Sequence, residues 1–251
     1  MAFIQCNFES SVLGLQCSMN VIMPQYNRFS DGRGHSVLYL FHGLSDDHTI
    51  WMRRTSIERY VEGMGLAVIM PAADRSFYTD MRYGNKYWTF ISEELPAVVK
   101  SLFPVSDKRE DTFVAGLSMG GYGAMKLALN FPERYAAAAS LSGVMDIVER
   151  MKEPDLPDAE YIYGPEPKLK GTNNDLFYLA EKIASSDGFK PKLYQCVGLE
   201  DVFHECNVRF HNFCRKLSLD TTYEEEHGYH DWYFWDKKIQ SVLKWLPINR
   251  K

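Results

Sequence analysis

Residues 3–23 alternate apolar and polar side chains around Gly14 and stop at Pro24, the pattern of an antiparallel hairpin at a sheet edge. The polar residues from 27 to 35 read as a loop. Ser36–Phe41 and 66–70 are near-continuous apolar runs, which suit strands buried on both faces. Between them Ile50, Ile57, Tyr60 and Val61 recur at helical spacing within 49–64. Phe90, Ile91, Leu95, Val98, Val99 and Leu102 do the same within 87–103, where Pro96 predicts a kink. Further strands are predicted at 112–117, 136–141, 192–197 and 221–225, with helices at 119–130, 203–217 and 232–246. Strands alternating with helices predict an α/β chain: one domain over 1–251, with a mostly parallel central sheet of about eight strands and helices on both faces. The cycle breaks at 144–188, where prolines and glycines crowd a polar stretch, and this insertion is the expected lid.

Composition agrees with that picture. Hydrophobic residues make up 45% of 251 and charged residues 24%, enough apolar material for a large core under a solvated surface. The 28 Lys and Arg against 33 Asp and Glu leave a net charge of −5, which disfavours a nucleic acid or an anionic membrane as partner. No apolar run approaches the roughly 18 residues of a membrane span, and the first residues lack a basic start followed by an apolar stretch. A cytoplasmic protein is the expectation. Five cysteines, an odd number without a C-x-x-C pair, predict reduced thiols rather than a disulfide framework or zinc knuckle. His204 and His211 stand seven apart with no H-E-x-x-H, and no Lys-Ser or Lys-Thr follows a glycine-rich stretch, so neither a metal nor a cofactor is expected.

The chemistry concentrates at Gly116-Leu117-Ser118-Met119-Gly120, a G-x-S-x-G between a predicted strand and a predicted helix. Such a match arises by chance in roughly one chain of this length in ten, so its context has to carry the inference. A serine on a sharp strand-to-helix turn needs neighbours without bulk, and Gly116, Gly120, Gly121 and Gly123 supply that space. A nucleophile there needs two amides aimed at the developing oxyanion. One is the N–H of Met119, at the helix start. The other is expected from the turn His42-Gly43-Leu44 after the first buried strand, through the N–H of Leu44. In sheets built around such a serine, the triad runs serine, acid, histidine. Asp201 follows a late strand and His230 the last one; Glu200 and His227 are rivals by position.

These residues resemble the putative-esterase (esterase D-like) family of α/β-hydrolases, particularly its bacterial tributyrin and feruloyl esterases, over nearly the whole chain. The resemblance rests on Leu38-Tyr39-Leu40-Phe41-His42-Gly43, on Gly116 to Ala124, on Gly198-Leu199-Glu200-Asp201 and on His230-Asp231-Trp232-Tyr233-Phe234-Trp235. It implies Ser118 as nucleophile, Asp201 and His230 as its partners, and it demotes His227. It also implies packing or capping roles for 51–55 and 92–96, and an assembly of two or four copies. The implied reaction is hydrolysis of small-molecule esters with short acyl (acetyl to butyryl) or cinnamoyl groups through an acyl-enzyme, with His42, Tyr87, Trp88, Tyr161 and Tyr163 as candidate pocket walls. Rival readings are an S-formylglutathione thioesterase, an acyltransferase and a non-catalytic binding protein on the same scaffold.

Overall fold

The computed structural model describes residues 1–25, 34–153, 156 and 158–248; the expected loop at 27–35 lies almost wholly outside them, as do Pro154 and Pro157. Among the described residues eight strands form one sheet: β1 (Ala2–Ser10), β2 (Leu15–Met23), β3 (Ser36–Phe41), β4 (Leu66–Pro71), β5 (Thr112–Leu117), β6 (Ala137–Leu141), β7 (Lys192–Gly198) and β8 (Thr221–Glu226). Their spatial order is β1-β2-β4-β3-β5-β6-β7-β8. The β1–β2 hairpin pairs antiparallel and joins β4 antiparallel, whereas β4, β3, β5, β6, β7 and β8 run parallel.

Among the described residues ten α-helices cover the sheet: α1 (Ile50–Arg54), α2 (Ile57–Tyr60), α3 (Tyr87–Thr89), α4 (Leu95–Leu102), α5 (Met119–Asn130), α6 (Ile147–Arg150), α7 (Ala159–Tyr163), α8 (Leu176–Ala184), α9 (His204–Lys216) and α10 (Trp232–Trp245). Because strand side chains alternate between faces, Tyr39, Phe41, Ile69 and Val114 share one core with α4, α5, α8 and α9. Leu38, Leu40, Val68, Phe113 and Ala115 share the other with α1, α2 and α10. Partly exposed Thr221–Glu226 closes the far edge, where Lys238 pairs Glu224 at 3.0 Å and Lys237 pairs Glu226 at 2.8 Å. Charges of this kind discourage edge-to-edge pairing.

One expectation is corrected and two gain detail. The helix over 49–64 is two short helices, because the Thr55 hydroxyl donates to Trp51 O at 2.6 Å and accepts from Ile57 N–H at 3.1 Å, replacing helical bonds. The stretch expected as a helix kinked at Pro96 is helical on both sides of it. A π-helical turn over Phe90–Glu94 leads into α4, with Leu95 N–H donating to Phe90 O. The Ser92 carbonyl, which a proline at 96 cannot serve, accepts from Arg134 Nη1 at 2.8 Å. The segment 144–188 contains α6, α7 and α8, and α8 buries Leu176, Leu179, Ala180 and Ile183 at helical spacing. The Asp175 carboxylate caps α8, accepting from the N–H groups of Phe177 and Tyr178 at 3.1 and 3.3 Å. Among the described residues no helix is long and apolar enough to cross a membrane.

The register that pairs Phe41 with Gly116 brings the carboxyl ends of β3 and β5 to one edge, and β7 and β8 end there too. The chain turns opposite ways from β3, to β4 on one side and β5 on the other, and such a crevice is where open α/β sheets bind ligands.

Candidate active site

Ser118 lies between β5 and α5 with φ 51° and ψ −119°, a conformation that costs a non-glycine residue roughly 1–3 kcal/mol. Its N–H donates to Leu141 O at 2.9 Å, and its carbonyl accepts from Tyr122 N–H at 3.1 Å and Val144 N–H at 3.4 Å. The turn closes only because its neighbours have no side chains. A Cβ on Gly116 would lie 2.3 Å from Gly120 O, and one on Gly120 would lie 2.5 Å from His42 O. Gly116→Ala is therefore expected to cost at least about 1–3 kcal/mol, since backbone must shift to admit the methyl group; chemical denaturation beside Gly14→Ala, which meets no atom within 4 Å but has φ +67°, separates crowding from backbone strain.

His230 Nε2 is 2.9 Å from Ser118 Oγ, and its Nδ1 is 3.0 and 3.1 Å from the two carboxylate oxygens of Asp201. The Asp201 side chain is fully buried and that of His230 is 26% exposed. Asp201 also accepts from Phe203 N–H at 2.8 Å, which fixes the carboxylate in its turn. His230 directly precedes the N-cap of α10, Asp231, whose carboxylate accepts from Phe234 N–H at 3.1 Å. The imidazole is held edge-on between two rings, Phe203 at 5.1 Å and Trp235 at 4.9 Å between centroids. Trp235 is itself fixed by its Nε1–H bond to Ser142 Oγ at 3.1 Å.

The rivals pair with each other. His227 Nδ1 meets Glu200 Oε1 at 2.7 Å, and Glu200 Oε2 accepts from Gly228 N–H at 2.7 Å, on the exposed side of the loops that carry Asp201 and His230. The bond to His227 holds the Glu200 carboxyl below the usual range. A Cβ on Gly198 would lie 2.0 Å from Gly228 O, so the two loops are in direct backbone contact.

The turn after β3 lies against Ser118: a Cβ on Gly43 would stand 3.7 Å from Ser118 Cβ. Neither the Leu44 nor the Met119 N–H has a hydrogen-bond acceptor among the described residues. His42, expected at the pocket wall, is buried and held by framework hydrogen bonds. Its Nε2 accepts from Ala73 N–H at 2.9 Å, so Nδ1 carries the proton and donates to Gly43 O at 2.7 Å. Burial pushes its pKa down, keeping the ring neutral.

Of the aromatic residues expected as walls, Tyr87, Trp88 and Tyr163 have side chains engaged in packing or hydrogen bonds. Tyr87 is buried with its hydroxyl donated to Asp74. Trp88 stacks on Phe131 with centroids 5.7 Å apart, and the Tyr163 hydroxyl lies 3.4 Å from Thr79 Oγ1. Tyr161 is exposed beside Tyr83, 6.5 Å between centroids. The site is flanked in the chain by Leu199, Val202, Tyr229 and Tyr233, exposed apolar residues within three positions of Asp201 or His230. A groove of about 520 Å³ adjoins it, lined by Val144, Asp146, Glu149, Arg150, Glu153, Val202, Phe203, Glu205, Cys206 and Arg209. Of the other shared segments, Trp51 packs edge-on against Trp232 at 5.2 Å and donates to Phe41 O at 3.0 Å. Glu94 caps the β1–β2 turn, accepting from Ser11 N–H at 2.7 Å.

Fold and site together define a serine hydrolase of the α/β-hydrolase type. The model of the putative esterase family matches residues 10–246. An acetyl esterase of Caldicellulosiruptor saccharolyticus is 30% identical over 98% of both chains. Two Staphylococcus aureus structures, each 36% identical over 98% of both chains, superpose with TM-scores of 0.91 and 0.88: the fluorophosphonate-binding serine hydrolase FphF with bound substrate, and an S-formylglutathione hydrolase, FrmB. The chain belongs to the putative esterase family and is a carboxylic ester hydrolase.

Proposed function

We propose that the chain hydrolyses small, uncharged esters, with acyl groups from acetyl to butyryl or of the cinnamoyl type, through an acyl-enzyme on Ser118. The observation that carries this is the continuous chain from Ser118 Oγ through His230 to the buried Asp201, beside the Leu44 and Met119 amides, which meet no acceptor among the described residues. His230 Nε2 takes the Ser118 proton as Oγ attacks the ester carbonyl, and the oxyanion receives the Leu44 and Met119 N–H groups. The C–O bond to the alcohol breaks as His230 returns the proton to it. Water, deprotonated by the same nitrogen, then releases the acid and restores the serine. Asp201 keeps the Nδ1–H tautomer in place throughout.

The exposed apolar side chains of Leu199, Val202, Tyr229 and Tyr233, close in the chain to Asp201 and His230, suit a short apolar or aromatic acyl group. The adjoining groove carries four carboxylates, Asp146, Glu149, Glu153 and Glu205, against Arg150 and Arg209. That balance favours a neutral alcohol over glutathione, which bears a net negative charge. Hydrolysis in the cytoplasm fits the five cysteines, all of which stand unpaired. The relationship to the S-formylglutathione hydrolase supports a second reading, thioester hydrolysis by the same triad.

Rates on p-nitrophenyl acetate to octanoate, methyl ferulate and S-formylglutathione test both. The expected result is a maximum at short acyl chains, with the glutathione thioester turned over less efficiently. A kcat/KM for S-formylglutathione well above that of every oxygen ester would replace the first reading by the second.

A further inference from the structure

Lys126 lies on α5 two turns beyond the nucleophile and is 2% exposed. A buried ammonium is costly unless its donors are used. Its Nζ donates to Tyr78 O and to Thr79 Oγ1, each at 2.8 Å, and sits 4.2 Å from the centre of the Trp88 ring. Among the described residues no carboxylate stands within ion-pair distance of it, so its partners are a loop backbone, a hydroxyl and a ring face. Burial pushes its pKa well below the usual lysine range; either protonation state retains donors for both oxygens.

The loop it holds is strained. Asp74, Phe77 and Tyr78 have φ of 44°, 49° and 49°, left-handed values on residues other than glycine. From it three contacts run to the oxyanion site. The buried Tyr78 hydroxyl donates to His42 O at 3.0 Å, two residues before the Leu44 amide. Ala73 N–H donates to His42 Nε2 at 2.9 Å, and Phe77 N–H lies 3.3 Å from Met119 Sδ. The Tyr78 ring is wedged between Phe41, stacked at 4.6 Å, and Gly123, where a Cβ would meet the ring at 2.5 Å. One loop thus touches Met119 itself and His42, in the turn that carries the Leu44 amide.

We propose that Lys126 is a positioning residue for the reaction: by anchoring Tyr78 and Thr79 it holds the loop that sets the His42–Leu44 turn, and through it the oxyanion-binding amides. This rests on the esterase mechanism proposed above. Transition-state stabilisation depends on donor placement far more steeply than ground-state binding does, and a shift of about 1 Å costs on the order of 100-fold.

The test compares Lys126→Met, Tyr78→Phe and the double variant on p-nitrophenyl butyrate, and measures inhibition by a trifluoromethyl ketone, which forms a tetrahedral oxyanion on the serine. Each single variant is expected to lower kcat by about 10- to 100-fold with KM changed less than about threefold. The ketone should weaken in parallel with kcat/KM, and the double variant should be little worse than the poorer single one, because both act through one contact chain. Tyr78→Phe keeps the ring packing and stays informative if Lys126→Met does not fold. The proposal is overturned by single variants with wild-type kcat, by losses confined to thermal stability or KM, or by effects that multiply in the double variant. An inactive wild type would instead refute the esterase mechanism.

Discussion

Ser118→Ala is expected to lower kcat on p-nitrophenyl butyrate by about 10⁶-fold, to a residue of activity still above the uncatalysed rate, and to abolish labelling by a fluorophosphonate. The magnitude follows from the loss of the only atom that can form the acyl-enzyme, while the amides of Leu44 and Met119 remain to stabilise an oxyanion formed by water. The fold should persist. The substitution removes one hydrogen bond, Oγ to His230 at 2.9 Å, with a net value near 1 kcal/mol, and it leaves the three backbone bonds that hold residue 118 at φ 51°. A melting temperature within about 4 °C of wild type should accompany the loss. Unchanged turnover would show that Ser118 is not the nucleophile.

Asp201→Asn carries the second largest expected effect, a fall in kcat of about 10⁴-fold with KM little changed. The buried carboxylate can only accept, so it selects the His230 tautomer with the proton on Nδ1 and leaves Nε2 free to take the serine proton. An amide in its place can donate to Nδ1, and the proton then sits on Nε2 facing Ser118, where the ring cannot act as base. Glu200→Gln is the matched control. Its partner His227 is on the outer side of the same loops, so a loss of less than about tenfold is expected. If Glu200→Gln were the more damaging change, the acid would be reassigned and Asp201 left as a turn-capping residue.

The elements with strict periodicity are legible in the amino-acid sequence alone. The strands at 36–41, 112–117 and 192–197 are buried runs bounded by turns, and they occupy almost those bounds. The elbow is legible as well, because its geometry demands glycine where Gly116 and Gly120 stand. The helix α8 carries a signal that the preceding prolines and glycines obscure: an aspartate cap followed by apolar residues at helical spacing. The split near Thr55 depends on a hydroxyl choosing its own helix backbone as partner, which apolar periodicity does not record.

Around the site, order along the chain selects the right loops but leaves two acids and two histidines in them. Glu200 and Asp201 are adjacent, so only the direction of each side chain separates the outer pair from the inner one: Glu200 turns to His227 and Gly228 N–H, Asp201 to His230 and Phe203 N–H. Tyr87, Trp88 and Tyr163 are indistinguishable by sequence from pocket aromatics, because an aromatic residue in a core and one in a pocket have the same composition; their partners Asp74, Phe131 and Thr79 are visible only in the structure. The left-handed loop at Asp74, Phe77 and Tyr78 has no glycine at those positions to announce it. Lys126 carries the weakest signal of all, a lysine in a helix, where solvent exposure is the ordinary expectation.

What the sequence determined by itself is therefore local: the strand and helix periods, the bend that glycine alone permits, and the chain order of serine, acid and histidine. The tertiary structure decided what depends on the pairing of distant strands. The register of β3 on β5 and of β7 on β8 brings residues 112 and 29 positions apart within hydrogen-bond distance at one sheet edge. It also turns Lys126 inward onto a strained loop. Side-chain direction and burial are properties of that assembled edge, because a single residue's chemistry is the same whichever way the sheet makes it face.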